Sequence, residues 1–242
     1  MKLISLLAFS AFAAFPQPVQ RALSFQQIQN PPDIAEAATV IRSIGEIRDL
    51  AADPAAKTLT IRGTLAQAEL AEWLLARLDL TPATPKPDPA HLDHRPVSGS
   101  DTLVRVLYFK NTHTPQSRNE AATVIRSLVE IPSLFLSNAA GAMVVRGTVA
   151  QADAAQWVFH AIDNPAPPPE GAAYRMPGGG DDTIRLFALP GTTTLEQLHR
   201  TATQVRSAIQ IRHLFVYSPA RLIAIRASNP QLTRAAAMLP QP

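Results

Sequence analysis

Apolar positions recur most regularly over residues 121–163. Ala121, Val124, Ile125 and Leu128 fall at helical spacing and make one stripe. A short apolar run over 131–136 leads to a turn at Ser137-Asn138, and residues 142–146 then read as a strand with Met143 and Val145 on one face. Upstream, Ala37, Val40, Ile41 and Ile44 make the same stripe, and Leu59 and Ile61 alternate with Thr58, Thr60 and Arg62, the period of a half-buried strand. Downstream, Ile223 and Ile225 alternate with Leu222, Ala224 and Arg226. A strand is expected before each group, over 21–25, 104–109 and 184–189, with Arg21, Arg105 and Arg185 in matching places.

These patterns are copies of one unit. Residues 37–43 match 121–127, Arg62-Gly63-Thr64 matches Arg146-Gly147-Thr148, Trp73 matches Trp157 and Asp79 matches Asp163. Roughly half of the positions agree without gaps, which chance does not explain. A weaker third copy keeps Ala202-Thr203, Arg206-Ser207, Leu214-Phe215, Arg226 and Gln231. Thr64 with Gln67, Thr148 with Gln151, and Ser228 with Gln231 are three capping boxes that each start a second helix. Trp73 and Trp157 lie on the apolar stripes of those helices and read as core; Trp157 is expected against Val124, Leu128 and Val145.

The spacing predicts an α+β fold of three tandem β-α-β-β-α modules: 15–80, 102–163 and a divergent 183–242. Residues 81–101, with Pro82, Pro85, Pro87, Pro89 and Pro96, and residues 164–182, with Pro167-Pro168-Pro169 and Gly178-Gly179-Gly180, read as linkers. The modules are therefore expected to fold separately and to move relative to one another.

The amino terminus changes the cellular picture. Lys2, an apolar run over 3–15 and Ala11-Phe12-Ala13 read as a signal peptide, 1–14, so a periplasmic location and no transmembrane segment after cleavage are expected. The 242 residues hold no cysteine, which excludes disulfide frameworks and thiolate metal sites. Net charge is only +3 but uneven: beyond residue 183, seven arginines face Glu196 alone, while the first module is mildly acidic.

His91, Asp93 and His94 fall in a Pro-rich linker, which does not hold metal ligands in fixed geometry. His113, His160, His199 and His213 do not correspond between copies, and there is no G-x-S-x-G, phosphate-cradling Gly loop or H-E-x-x-H. No enzyme and no cofactor are expected. The recurrent arginines are the polar signal. Arg62, Arg146 and Arg226 end a strand before the capped helix, and Arg42, Arg126 and Arg206 fall late in the first helix. Two roles are open to them: local service to a helix C-terminus or an apolar surface, or pairing with acids on a neighbouring module.

The run Val104-Arg105-Val106-Leu107-Tyr108-Phe109-Lys110-Asn111-Thr112, then 120–127, Val144-Val145-Arg146-Gly147-Thr148 and Ile162-Asp163, resembles the periplasmic N-domains of bacterial secretins. These are short KH-like repeats of type II and type III secretion and type IV pilus systems. The third copy departs at Ala227 and lacks the closing Leu-Asp. The β-rich pore region of secretins is not found in these residues, so the chain is not expected to be a channel. The resemblance implies a non-enzymatic periplasmic assembly module with protein partners, another copy of itself or a secretin or pilus component among them. No GxxG loop is present, so no nucleic-acid partner is expected. The alternative is a binder of an acidic or cell-wall polymer through the basic third module.

Overall fold

The computed structural model describes residues 18–81, 84, 92–95, 101–169, 171–178 and 180–240. The expected signal peptide lies outside the described residues. In chain order the elements are β1 (Val19–Ser24), α1 (Pro31–Gly45), β2 (Asp49–Asp53), β3 (Thr58–Gly63), α2 (Leu65–Leu78), β4 (Asp93–His94), β5 (Thr102–Tyr108), α3 (Pro115–Val129), β6 (Ser133–Ser137), β7 (Ala142–Thr148), α4 (Val149–Ile162), β8 (Ala173–Arg175), β9 (Asp182–Ala188), α5 (Leu195–Ile209), β10 (His213–Tyr217), β11 (Leu222–Ser228) and α6 (Asn229–Met238). They form three antiparallel sheets, β1-β3-β2, β4-β5-β7-β6 and β10-β11-β9-β8, each with two helices on one face. Each sheet with its two helices makes one unit.

Local chemistry explains the elements. Two of the expected capping boxes are made in full: Thr64 Oγ1 accepts from Gln67 N while Gln67 Oε1 accepts from Thr64 N, and Thr148 with Gln151 does the same; at the third, Ser228 N and Oγ both donate to Gln231 Oε1. Thr194 with Gln197 forms a further one at the start of α5. The glutamines also bind across their units, with Gln67 Nε2 donating to Glu46 O and Gln151 Nε2 to Glu130 O. Gly147 makes room for this, since a Cβ there would lie 2.8 Å from Gln151 Oε1. The first helices end on left-handed residues, Glu46 (φ 51°), Glu130 (φ 55°) and Gln210 (φ 55°). Glycine more often stands at such positions.

Asp79 and Asp163 close their units. Asp163 accepts from the backbone N–H groups of Lys110, Asn111 and Thr112 at 2.7, 3.1 and 2.8 Å, and Asp79 does the same for Gln26, Gln27 and Ile28. In the third unit α6 stops at Met238, and Pro190 stands where Lys110 does. Proline has no N–H, so the first of those donors is absent there.

Three expectations are corrected. The stretches read as linkers supply the short strands β4 and β8, which pair with β5 and β9. The units are not separate bodies. Sheets two and three are buried on both faces, and the outer face of each packs on the first helix of the unit before it. One continuous core joins Val40, Ile41 and Ile44 of α1 to Val104, Val106, Tyr108, Ala142 and Val144; a second joins Val124, Ile125 and Leu128 to Ile184, Leu186, Leu222 and Ala224. Apolar surface on both sides of the junction makes docking favourable. Finally, Trp157 is half-buried at the edge of this core, its ring 5.8 Å from that of Tyr174 on β8. Trp73 likewise meets His94 on β4 at 5.2 Å. Both rings lean on the next unit's added strand, a surface that one module alone does not possess.

Candidate functional site

The polar residues that recur in the sequence meet at the junctions. Arg146 Nη1 donates to Ile44 O at 2.7 Å, and its other Nη pairs with Glu46 at 3.2 Å. Arg226 donates to Leu128 O at 2.9 Å and pairs with Glu130 at 3.0 Å and with Asp182 at 2.6 Å. Each arginine reaches the open C-terminal carbonyls of the preceding unit's first helix, where a cation also complements the dipole. The left-handed Glu46 and Glu130 bring their carboxylates to the same guanidinium. Burial alone would lower the Arg226 pKa, but its ion pairs with Asp182 and Glu130 outweigh this and hold it above the usual value. His213 adds a ring nitrogen 3.2 Å from Ser127 O at the second junction.

Arg62 stands at the same place in the first unit, exposed on its outer sheet face. Arg42, Arg126 and Arg206 work within their own units: each donates to a strand carbonyl, Leu50 O, Leu134 O and Leu214 O respectively. The structure thus brings Arg146 and Arg226 to junctions, keeps Arg42, Arg126 and Arg206 local, and leaves Arg62 on a free face.

Glu36 and Glu120 were not singled out by sequence reasoning. Glu36 accepts from Asn138 N at 2.8 Å and Asn138 Nδ2 at 2.9 Å; Glu120 accepts from Ser218 N at 2.5 Å. Each ties a first helix to the hairpin of the following unit. Their matching positions in two copies were the available signal. Arg105 is the most buried arginine, 8% exposed, held by both oxygens of Asp93 and by Asp153. The Asp93 hydrogen bond is the main reason its pKa is raised. Tyr108 donates to Arg77 O across the first junction at 2.9 Å, and burial pushes its phenol up to about 12. Burial, followed by the charge of Arg77, lowers the His94 pKa.

The two end faces are polar. On the outer face of sheet one, Gln20, Ala22, Ser24, Thr60 and Arg62 are exposed where the second unit buries Val104, Val106, Tyr108 and Val144. On α5, Thr201, Gln204 and Ala208 replace the buried Ala121, Val124 and Leu128 of α3, and Arg200 stands where Glu120 does. Stacked arrays stay soluble through such polar outer faces. Among the described residues no cluster of three or more His, Asp or Glu is placed to hold a metal ion, and no helix is long and apolar enough to cross a membrane.

No family model matches the chain, and no curated protein matches it. Among solved structures, similarity is found to XcpQN012 (14% identity, TM-score 0.26, 91% of this chain and 96% of that one). It is also found to Aeromonas hydrophila ExeD (11%, 0.23, 93% and 41%) and to the ETEC pilotin–secretin AspS–GspD complex (15%, 0.21, 92% and 37%). The chain therefore spans less than half of the ExeD and GspD-complex chains. Superpositions at these scores assign no role to any residue here.

Proposed function

We propose that the chain is a non-enzymatic periplasmic binding and assembly module of the secretin N-domain type, three units long, serving a secretion or pilus system. One observation carries this reading: the recurrent polar residues join units or close them. Arg146, Arg226, Glu36 and Glu120 bind the neighbouring unit, and Asp79 and Asp163 bind their own first loop. Groups engaged in this way build a stacked scaffold whose remaining chemistry lies on its outer surfaces. The likeness of 104–112, 120–127 and 144–148 to secretin N-domains supports the choice of system, and the leader-like pattern of residues 1–14 supports export.

The test is crosslinking in living cells of the organism that makes the protein, with crosslinked peptides identified by mass spectrometry. Links to a secretin, a pilus subunit or an inner-membrane component of such a system are the expected result. Salt-sensitive co-sedimentation with cell-wall sacculi, without protein crosslinks, would replace this reading with polymer binding through the basic third unit.

A further inference from the structure

The third unit departs from the other two at one place on its helix side. In the second unit, Arg105 on β5 lies under α4 and is held by Asp93 from the adjoining strand and by Asp153 from the helix. In the first, Arg21 on β1 pairs with Glu72 on α2. The third unit keeps the arginine and drops the acids. Ala173 faces Arg185 across the β8–β9 pair as Asp93 faces Arg105. Counting from the capping glutamines, Thr233 takes the place of Asp153. Arg185 is half-buried with its guanidinium 4.9 Å from the ring centre of Phe187, and no carboxylate meets it among the described residues.

The space around it is also different. Ala236 and Ala237 replace Gln156 and Trp157, and α6 ends after ten residues where α4 has fourteen. A groove of about 370 Å3 results, walled by Pro167 and Pro169 on one side and by Ala236 and Leu239 on the other, with Phe187 and Arg185 between. One flank has less backbone pairing among the described residues. In the second unit Val106 N donates to Leu92 O at 3.1 Å. In the third, the β8–β9 register ends at the Ala173–Arg185 pair and Ala172 N donates to Pro169 O at 3.0 Å, and no backbone acceptor meets Leu186 N among the described residues.

We infer that this groove takes an extended acidic–apolar segment of a partner protein, an aspartate or glutamate pairing with Arg185 while a neighbouring large apolar side chain fills the space over Phe187 and Leu239. Charge complementarity selects the occupant. A guanidinium that two sister units satisfy with carboxylates is here offered to the outside, next to an apolar slot too small for a folded domain and suited to one or two side chains. Arg gives directional, bidentate pairing to a carboxylate, and the open strand edge offers main-chain hydrogen bonds to an extended chain. The inference rests on the protein-binding reading above and names the kind of partner.

The probe is a fluorescein-labelled octapeptide, GSLFDLGS, titrated against the full chain by fluorescence polarisation beside GSLFNLGS. The acidic peptide is expected to bind at least about tenfold more tightly, the usual effect of a charge-assisted hydrogen bond. Arg185→Gln should remove that preference, and Ala236→Phe, which fills the groove and leaves the arginine, should weaken both peptides. Circular dichroism checks that both variants are folded. Glu170, beside the groove in sequence, lies outside the described residues; Glu170→Gln is expected to bind no more weakly than the parent. Equal binding of the two peptides, a preference that survives Arg185→Gln, or no binding at millimolar protein would overturn the inference. Crosslinks to secretion proteins combined with such a failure would discard the groove and leave the array reading standing.

Discussion

Val144 and Thr60 occupy the same place on the outer faces of neighbouring sheets, and exchanging them should have unequal consequences. Val144 is fully buried, with Val106 and Phe135 as its cross-strand neighbours and the first core around it. Val144→Thr keeps the shape and puts a hydroxyl between two apolar side chains. Burying an unpaired hydroxyl costs about 1–3 kcal/mol. Thr60 is exposed on the polar end face, so Thr60→Val should move stability by no more than about 0.5 kcal/mol. Urea unfolding followed by circular dichroism measures both. With a slope of about 2 kcal/mol/M, a loss of about 2 kcal/mol lowers the midpoint by about 1 M. Each of the first two units carries one tryptophan, so Trp73→Phe and Trp157→Phe backgrounds report the units individually. Because the first two units share a core, Val144→Thr should lower the midpoint seen by both fluorophores. If it costs less than about 0.5 kcal/mol, or is felt by Trp157 alone, sheet two does not dock on α1 and the reasoning fails.

Other outcomes follow from the same contacts. Arg146→Met should cost about 1.5–3 kcal/mol, the range for a charged hydrogen bond. Arg62→Met and Glu46→Gln should each cost less than about 0.5 kcal/mol because both side chains are exposed; comparable losses for all three in urea would contradict the helix-capping role. Asp163→Ala strips the acceptor from three backbone N–H groups and should cost about 2–4 kcal/mol, with amide exchange accelerated first at Lys110, Asn111 and Thr112; unchanged exchange there would refute it. Tyr108 should resist ionisation in an ultraviolet pH titration of the folded protein. Its folded pKa is about 12 against 10.0 for the free group, so the neutral form is favoured on folding. The stability this contributes is complete below pH 10 and is lost as pH rises from 10 towards 12; a Tyr108 phenol that titrates near 10 in the native state would place it in water.

The sequence by itself determined each unit's interior. Stripes such as Ala37-Val40-Ile41-Ile44, alternating strands such as Thr58 to Arg62, and three of the capping boxes are set by contacts within a turn or across a hairpin, so local spacing reveals them. How the units stack was decided by tertiary structure. Its trace was present: where the first unit alternates Thr58, Leu59, Thr60 and Ile61, the second runs Ala142, Met143, Val144 and Val145 without interruption, the mark of a strand buried on both faces. One copy alone cannot say what covers the second face, because the covering helix α1 lies far away in sequence. Arg62, Arg146 and Arg226 make the same point. They stand at the same place before a capped helix, yet two cap a helix of another unit and one faces solvent. Asp93-His94 and Tyr174 read as linker because strands that short owe their pairing to a sheet edge and a tryptophan supplied by distant residues. Local pattern fixes what a segment can form; the neighbour that folding brings against it decides what its side chains do.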